Sequence, residues 1–557
     1  MNIPDWVQLV GYLAALTAAV PLLGVYMAKV LAGQPPRWIG WLAPVERLIY
    51  RLAGVDAQAE MRWTSYAGAL LLFNLLGFLT VLGLQLAQGA LPLNPQQLPG
   101  VPLALALNTA VSFVTNTNWQ AYSGESTLSY LTQMLGLCAQ NFLSAASGVA
   151  VMLALTRGLA RRSAATVGNL WADLVRSTLY VLLPLSVLWA LLLAGQGVVQ
   201  TFSPYAEAVT LEGARQVIPL GPAASQIAIK QLGTNGGGFF GANSAHPFEN
   251  PTPLANFLEL FAILLIPAAL TYTYGLMVNS KRQGWPIFAA MMILFLAGLS
   301  VAIAAEYRYE GNMEGKEVRN GVMTSVLWGT ATTAASNGSV NAMHDSFSPL
   351  AGLVAMGNML VGEVIFGGVG AGLYGMLMFV VLTVFMAGLM VGRTPEYLGK
   401  KIDAREVTMA MIAVLAPCAV VLIFGALAAV TDAGRCSLNS QGPHGLSEIL
   451  YAFASMANNN GSAFAGLKAN TAFYNWLGSA AMLIGRFAVI VPALAIAGSM
   501  AGKKTAPPSP GTFPTDSGVF VAMLIGVVLI IGALTFIPVL ALGPVVEHLL
   551  LPSGRMF

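Results

Sequence analysis

Four short polar stretches interrupt a chain that otherwise avoids polar side chains: "TNTNWQ" at 115–120, "GTNGGG" at 233–238, "SNGS" at 336–339 and "NNNG" at 458–461. Taken singly each reads as an ordinary tight turn, because asparagine and glycine tolerate positive φ. Taken together they hold glycine, small amides and hydroxyls, and no charge. Such turns leave backbone carbonyl oxygens free to replace the water shell of a monovalent cation. Rings of acidic side chains would suit carboxylate-lined cation pores, and rings of Arg or Lys anion pores. The chemistry implied is coordination.

Each turn ends a short, weakly apolar stretch of helical character: "LALALNTAVSF" at 103, "AASQIAIKQL" at 223, "GVMTSVLWGTATTAA" at 321 and "SEILYAFASMA" at 447. At about 1.5 Å per residue these reach only part of the way across a bilayer, so they dip in and return. Around them lie ten long apolar segments, near 5–30, 63–88, 128–155, 172–199, 252–279, 284–306, 353–391, 407–430, 471–501 and 518–546. Aligning Asn118, Asn235, Asn337 and Asn460 gives intervals of 117, 102 and 123 residues, the signature of a repeat architecture. The unit is span, short helix, polar turn, span. Four copies occupy approximately 63–155, 172–279, 284–391 and 407–501, leaving 5–30 and 518–546 as extra helices.

Composition agrees with this reading. Of 557 residues 56% are hydrophobic and only 9% charged, with a mean hydropathy of +0.71, whereas a globular chain is about 25% charged. The expected fold is an all-α polytopic membrane protein, residues 1–557 forming a single transmembrane pore domain with ten spans and four re-entrant helices, like a potassium channel. Non-helical backbone at membrane depth is tolerated only where protein buries it or it lines a watery cavity, which favours a pore. Placing the connections between repeats in the cytoplasm puts 17 of the 26 Lys and Arg there, including Arg157, Arg161, Lys400, Lys401 and Lys503. The positive-inside tendency then sets the turns, the N-terminus and the C-terminus outside. Short helices that aim their C-terminal ends at the axis each add roughly half a negative charge. A neutral filter of carbonyls backed by dipoles suits potassium, although no agreed sequence rule separates it from sodium.

The strings "NTAVSFVTNTNWQAYSGE", "GTNGGGFFGANSAHPFENPTP", "NAMHDSF", "GEVIFGGVGAGLYG", "GRTPEYLGKKID", "ANNNGSAFAGL" and "GALTFIPVLALGP" are similar to those of the potassium-binding A subunits of bacterial Kdp potassium-transporting ATPases, across essentially the whole chain. The resemblance implies potassium as the bound ion and location in the bacterial cytoplasmic (inner) membrane. It implies a complex with a P-type ATPase B subunit, a C subunit and a small F subunit, in which this chain is the non-catalytic, potassium-binding part. It carries a filter onto Asn116, Thr117 and Asn118, onto Thr234, Asn235 and Gly236, onto Ser336, Asn337 and Gly338, and onto Asn459, Asn460 and Gly461. The first turn has Trp119 where the others have glycine in this alignment, which makes Gln120 a neighbour that tunes affinity. The resemblance also implies a broken helix beneath the filter at Gly367, Gly368 and Gly370, and a sideways exit of the ion toward the B subunit.

Several features narrow the reading further. There is no G-x-x-x-x-G-K-[ST] loop, no aspartyl-phosphate signature and no long hydrophilic segment for a nucleotide domain, so no ATP site is expected. "GAGLYG" at 370–375 matches G-x-G-x-x-G inside an apolar segment without a preceding strand, so it reads as a helix break or close helix packing. Cys138, Cys418 and Cys436 are too dispersed for a disulfide framework or zinc site, and a net charge of +3 gives no nucleic-acid signal. His246, His344, His444 and His548 lack ligand spacing, against a membrane-embedded enzyme. Glu125, Glu249 and Asp345 follow the first three turns, as helix caps or as cation-concentrating charges at the outer mouth. "RWIGWLAPVERLIYRL" at 37–52 reads as an amphipathic basic helix on membrane lipid or a partner-docking face. A stand-alone channel-like potassium transporter, or a secondary cation transporter with paired inverted halves, is the alternative to an ATPase subunit.

Two ionisable residues fall within spans, where charge is costly and marks function by default: Glu363 in "LVGEVIFGG" and Arg486 in "LIGRFAVIVPALAIAG". Counting at about 1.5 Å per residue from the outer ends sets both below the filter. The expectation is a gate in which Arg486 blocks free passage to the cytoplasm and Glu363 pairs with it and helps the ion turn sideways. A buried ion pair that only fixes helix register is the structural alternative.

Overall fold

Apolar runs this long have nowhere to go in water but become helices whose backbone groups are satisfied internally. The computed structural model describes residues 3–308, 313–390, 392, 394–505 and 513–553. Among them ten helices are long and apolar enough to cross a membrane: Ile3–Leu31, Trp63–Ala90, Thr132–Ala160, Leu170–Gly195, Pro253–Met277, Lys281–Arg308, Ala371–Met390, Ala404–Val430, Ala472–Gly502 and Gly518–Leu550. The half-length helices are Leu103–Val114, Ala223–Leu232, Gly321–Ala334 and Gly442–Ala457, one between the two spans of each repeat. The strands are two short antiparallel hairpins, Ala206–Val209 with Arg215–Ile218 and Glu396–Tyr397 with Lys400–Lys401.

Each repeat has an inner and an outer span. In an apolar eighteen-residue stretch of each, between 61% and 83% of residues are buried in Thr132–Ala160, Pro253–Met277, Ala371–Met390 and Ala472–Gly502, against 22% to 50% in the first spans of the same repeats. The inner spans therefore face protein on most sides, and the outer ones keep apolar surface for lipid. Local chemistry fixes where the inner spans begin: Thr252 accepts the N–H of Ala255 at 3.0 Å and Thr471 that of Tyr474 at 3.3 Å. Both are threonine caps for donors that would otherwise be unsatisfied. The added first helix Ile3–Leu31 packs along Pro253–Met277, and the last packs on Lys281–Arg308 and Ala371–Met390.

The seventh segment differs from a continuous span over 353–391. It consists of a helix Pro349–Leu360, a non-helical stretch over 361–370, and the helix Ala371–Met390. Glu363, Phe366, Gly362, Gly367 and Gly370 all have positive φ, which no α-helix accommodates. Close approach explains one glycine: a Cβ on Gly370 would stand 2.2 Å from the carbonyl oxygen of Gly148 on the inner span of the first repeat. The glycines thus break the helix, as the resemblance implied, and also bring two backbones together.

At the span ends remote from the turns, Lys400 is buried and donates to the carbonyls of Gly158 (2.9 Å), Arg161 and Met500 (2.7 Å). It gathers the C-terminal ends of Thr132–Ala160 and Ala472–Gly502, and burial pushes its ammonium down to about 8. The helical stretch Arg37–Ala53 packs on the start of Leu170–Gly195 with Glu46 turned inward, accepting from Arg176 (3.1 Å) and Tyr180 (2.6 Å). Its Trp41 and Leu52 are exposed, and Trp38, also largely exposed, stacks on Tyr26 of the first span.

Candidate functional site

The four half-length helices end in one recurring backbone geometry. After the last helical turn comes a residue in the left-handed region: Asn116 (φ 63°), Thr234 (φ 47°), Ser336 (φ 54°) and Asn459 (φ 61°). The next N–H then reaches back five residues: Thr117 to the carbonyl of Ser112 (2.9 Å), Asn235 to Lys230 (2.9 Å), Asn337 to Thr332 (3.0 Å) and Asn460 to Ser455 (2.8 Å). This pattern corrects the alignment made on sequence. Thr117, and not Asn118, is the counterpart of Asn235, Asn337 and Asn460. Asn118 (φ 56°) matches Gly236 (φ 89°) and Gly461 (φ 94°), so the first turn has asparagine where the others have glycine, and Trp119 lies opposite Gly237, Ser339 and Ser462. The physical reason is that asparagine is the residue besides glycine that most readily adopts a left-handed φ.

Hydrogen bonds close the turns into a ring in chain order. Asn116 Nδ2 donates to the carbonyl of Thr234 at 3.0 Å, and Asn235 Nδ2 to Asn116 Oδ1 at 2.6 Å. Gly338 N–H donates to the carbonyl of Asn235 at 3.3 Å, and Asn337 Nδ2 to that of Lys230 at 3.1 Å. Ser336 Oγ donates to the carbonyl of Asn459 at 3.0 Å, and Asn460 Nδ2 to that of Thr332 at 3.1 Å. Asn459 Nδ2 completes the circuit on Thr117 Oγ1 at 2.9 Å. The side-chain amides of Asn116, Asn235, Asn337, Asn459 and Asn460 thus tie each turn to its neighbour. Asn118 departs again, donating to Asn141 at 2.7 Å within its own repeat.

Gln120 bridges two turns. Its Oε1 accepts the N–H of Gly238 at 2.8 Å and its Nε2 donates to the carbonyl of Gly238 at 3.2 Å. Two effects follow for substitution. Gln120→Ala leaves those backbone groups without this partner, a cost of about 1–2 kcal/mol. Gln120→Arg adds a fixed positive charge, worth about 2 kcal/mol or some thirtyfold in cation affinity at roughly 8 Å and an effective dielectric of 20. Potassium titrations of both variants are expected to rank arginine well below alanine, and equal losses would defeat the electrostatic part.

Beneath the ring the broken seventh segment touches the turns directly. The N–H of Gly367 donates to the carbonyl of Ala334 at 3.0 Å, that of Val369 to Thr234 Oγ1 at 2.7 Å, and Gly368 lies against Ser336. Glu363 and Arg486, 3% and 5% exposed, line one cavity of about 70 Å³ with Ser336, Gly368, Tyr374 and Asn459. They do not pair. Among the described residues no hydrogen bond reaches either oxygen of Glu363, which lies near Ser336 and Asn460, while Arg486 Nη2 donates to the carbonyl of Ser144 at 3.3 Å. The expected pairing fails because the chain leaves the helix after Leu360, and Glu363, at φ 50°, lies beside Ser336 and Asn460.

The sequence did not point to Lys230. It is fully buried on the second half-length helix, paired with Glu249, and donates to the carbonyl of Gly237 at 3.0 Å. None of the three acids that follow the first three turns stands free. Glu125 accepts from Gly241 at 2.7 Å, Glu249 holds Lys230, and Asp345 accepts from His444 at 3.0 Å. Asp345, His444 and Glu448 come close enough to hold a metal, yet the second nitrogen of His444 meets Glu547 at 2.8 Å. Burial would push His444 down, but its two carboxylate partners outweigh that and push it up to about 10. An imidazolium with both N–H groups donated has no lone pair for a metal.

A family model described as "Potassium-transporting ATPase A subunit" matches residues 10–549. A curated relative from Herpetosiphon aurantiacus, titled "Potassium-transporting ATPase potassium-binding subunit", is 60% identical, covering 98% of this chain and 99% of its own. A relative from Sorangium cellulosum with the same title is 59% identical, with 97% of each chain covered. Among solved structures, the potassium transporter TrkH from Vibrio parahaemolyticus matches with a TM-score of 0.53 over 88% of this chain and 98% of that one. At 15% identity that likeness speaks to the fold alone.

Proposed function

The chain belongs to the family of potassium-transporting ATPase A subunits, and from that premise we propose that it binds potassium in the ring of four turns as the translocating subunit of an ATP-driven, high-affinity uptake complex. The closed ring carries the reading. Four uncharged turns, each at the C-terminal end of a helix, concentrate carbonyl oxygens and negative dipole ends on one small region. The cross-turn hydrogen bonds resist collapse or widening of that region, as selectivity between ions of similar charge requires.

In the mechanism we infer, an ion from outside sheds water onto the turn backbone at Thr117, Asn235, Asn337 and Asn460 and their neighbours. It then enters the cavity below, where Glu363, buried beside Ser336 and Asn460, supplies a carboxyl group. A cavity of this size has room for a few waters or a partly hydrated ion. Arg486 sets a fixed positive charge on the cavity wall, opposing passage straight on to the cytoplasm, and the ion leaves sideways past the broken segment at Gly367, Gly368 and Gly370. ATP is hydrolysed by a P-type ATPase B subunit, with a C subunit and a small F subunit completing the complex in the bacterial cytoplasmic membrane. Both termini of this chain lie outside. The charge distribution over the connecting segments supports that orientation.

Purification of the tagged chain from its native membrane tests the assignment. A P-type ATPase is expected to accompany it, and potassium is expected to stimulate ATP hydrolysis by the purified material. A chain that comes away alone yet carries potassium flux in vesicles would establish the stand-alone transporter instead.

A further inference from the structure

The residue five places before the central residue of each turn is Ser112, Lys230, Thr332 or Ser455. In the first and third repeats its hydroxyl donates to the carbonyl seven residues on: Ser112 to Trp119 at 2.9 Å and Thr332 to Ser339 at 2.8 Å. In the second repeat Lys230 makes the same contact with an ammonium, to Gly237 at 3.0 Å. In the fourth, Ser455 instead accepts the N–H of Gly461 at 2.9 Å. The uncharged second turn is thus held from its helix by a full charge where two others are held by a neutral hydroxyl. It also runs through Gly236, Gly237 and Gly238, the most pliable of the four backbones.

We propose that Lys230 is a positioning residue that holds the Gly237 carbonyl of the second turn, and that Glu249 cancels its charge beside the ion path. The inference rests on the ring being the potassium site. A charge-assisted hydrogen bond is the stronger tether for a pliable triple-glycine segment. A bare ammonium there would repel the cation, and the geometry removes it. Lys230 and Glu249 are both fully buried and in direct contact, and Asn243 Oδ1 takes another ammonium proton at 2.9 Å. The other Glu249 oxygen accepts the N–H of Phe240 at 3.0 Å, fixing the carboxylate to the segment that leaves the turn.

The test reads half-saturating potassium and discrimination against sodium in the assembled complex. Glu249→Gln removes the carboxylate in direct contact with the ammonium, leaving Glu259 as the remaining acid near it, and is expected to raise half-saturating potassium roughly tenfold, the effect of a unit charge about 10 Å away at an effective dielectric near 20. Lys230→Thr combined with Glu249→Gln installs the hydroxyl of the third repeat and is expected to restore affinity to within about threefold. Lys230→Met with Glu249→Gln is equally uncharged but cannot donate, and discrimination against sodium is expected to relax. Should Glu249→Gln fail to assemble, the two double variants decide between them, since neither buries a charge at this place. Unchanged half-saturation and discrimination in every assembled variant, with only the yield altered, would mean a purely structural pair and would overturn the proposal. Gly236→Ala serves as the control. A shift there with none in Glu249→Gln removes only the Lys230 assignment, whereas no shift in either removes the ring as the binding site.

Discussion

Replacing Gly236 by alanine is expected to raise the half-saturating potassium concentration roughly a hundredfold and to relax discrimination against sodium. The residue sits at φ 89°, where a Cβ costs about 1–2 kcal/mol. That Cβ would also stand 2.0 Å from the amide nitrogen of Gly338, a backbone atom that cannot rotate away. Overpacking of this kind adds about 1–3 kcal/mol. Gly461 should behave alike, since it has φ 94° and its Cβ would meet the Thr117 carbonyl oxygen at 1.8 Å. Gly338 should be milder, because it lacks a positive φ and its Cβ first meets Gly461 at 2.7 Å. Potassium-dependent ATP hydrolysis by the complex, with rubidium and sodium as competitors, measures the order. Unaltered affinity and selectivity in both Gly236→Ala and Gly461→Ala would remove these turns from the ion path.

Arg486→Gln is expected to open a leak. The guanidinium lines the cavity under the third and fourth turns and donates at 3.3 Å to the Ser144 carbonyl. Loss of one positive charge about 8 Å from a passing cation, at an effective dielectric of 20, lowers its barrier by about 2 kcal/mol. Passive potassium flux through the complex in vesicles should therefore rise some thirtyfold, and transport should run ahead of ATP hydrolysis. Glu363→Gln should not mimic this, because no pair joins the two side chains. A well-assembled Arg486→Gln complex with tight coupling and no leak would end the barrier role. Failure to assemble, equal in Arg486→Gln and Arg486→Lys, would point to a structural role at this position.

Much of the architecture was legible because its causes are local. A run of twenty-odd apolar residues can bury its backbone only as a helix, so the count of ten spans and the four half-length helices follow from composition and length, while the break that splits 353–391 into Pro349–Leu360 and Ala371–Met390 does not. Asparagine and glycine mark turns wherever they cluster, so the four turns and their uncharged character were visible too. What misled was also local. Matching asparagine to asparagine set Asn118 against Asn235, although the backbone places Asn118 with the glycines. Amino-acid identity is a poor guide to register where two residue types can adopt the same left-handed φ.

The sequence by itself determined how many spans there are, where the chain turns back, and that no charge lies in the turns, for each depends on a stretch of a few to thirty residues. Only the tertiary structure decided which groups meet. The ring closes through contacts between residues more than a hundred positions apart, from Asn116 to Thr234 and from Asn459 to Thr117. The separation of Glu363 from Arg486 depends on a break whose dihedral angles are set by packing against Gly148 and the turns above. Lys230 looks from sequence like a stray charge on an apolar helix. It becomes half of a buried, fully bonded ion pair only when the chain nineteen residues on returns Glu249 to its side, and a return of this kind leaves no periodicity for a sequence to display.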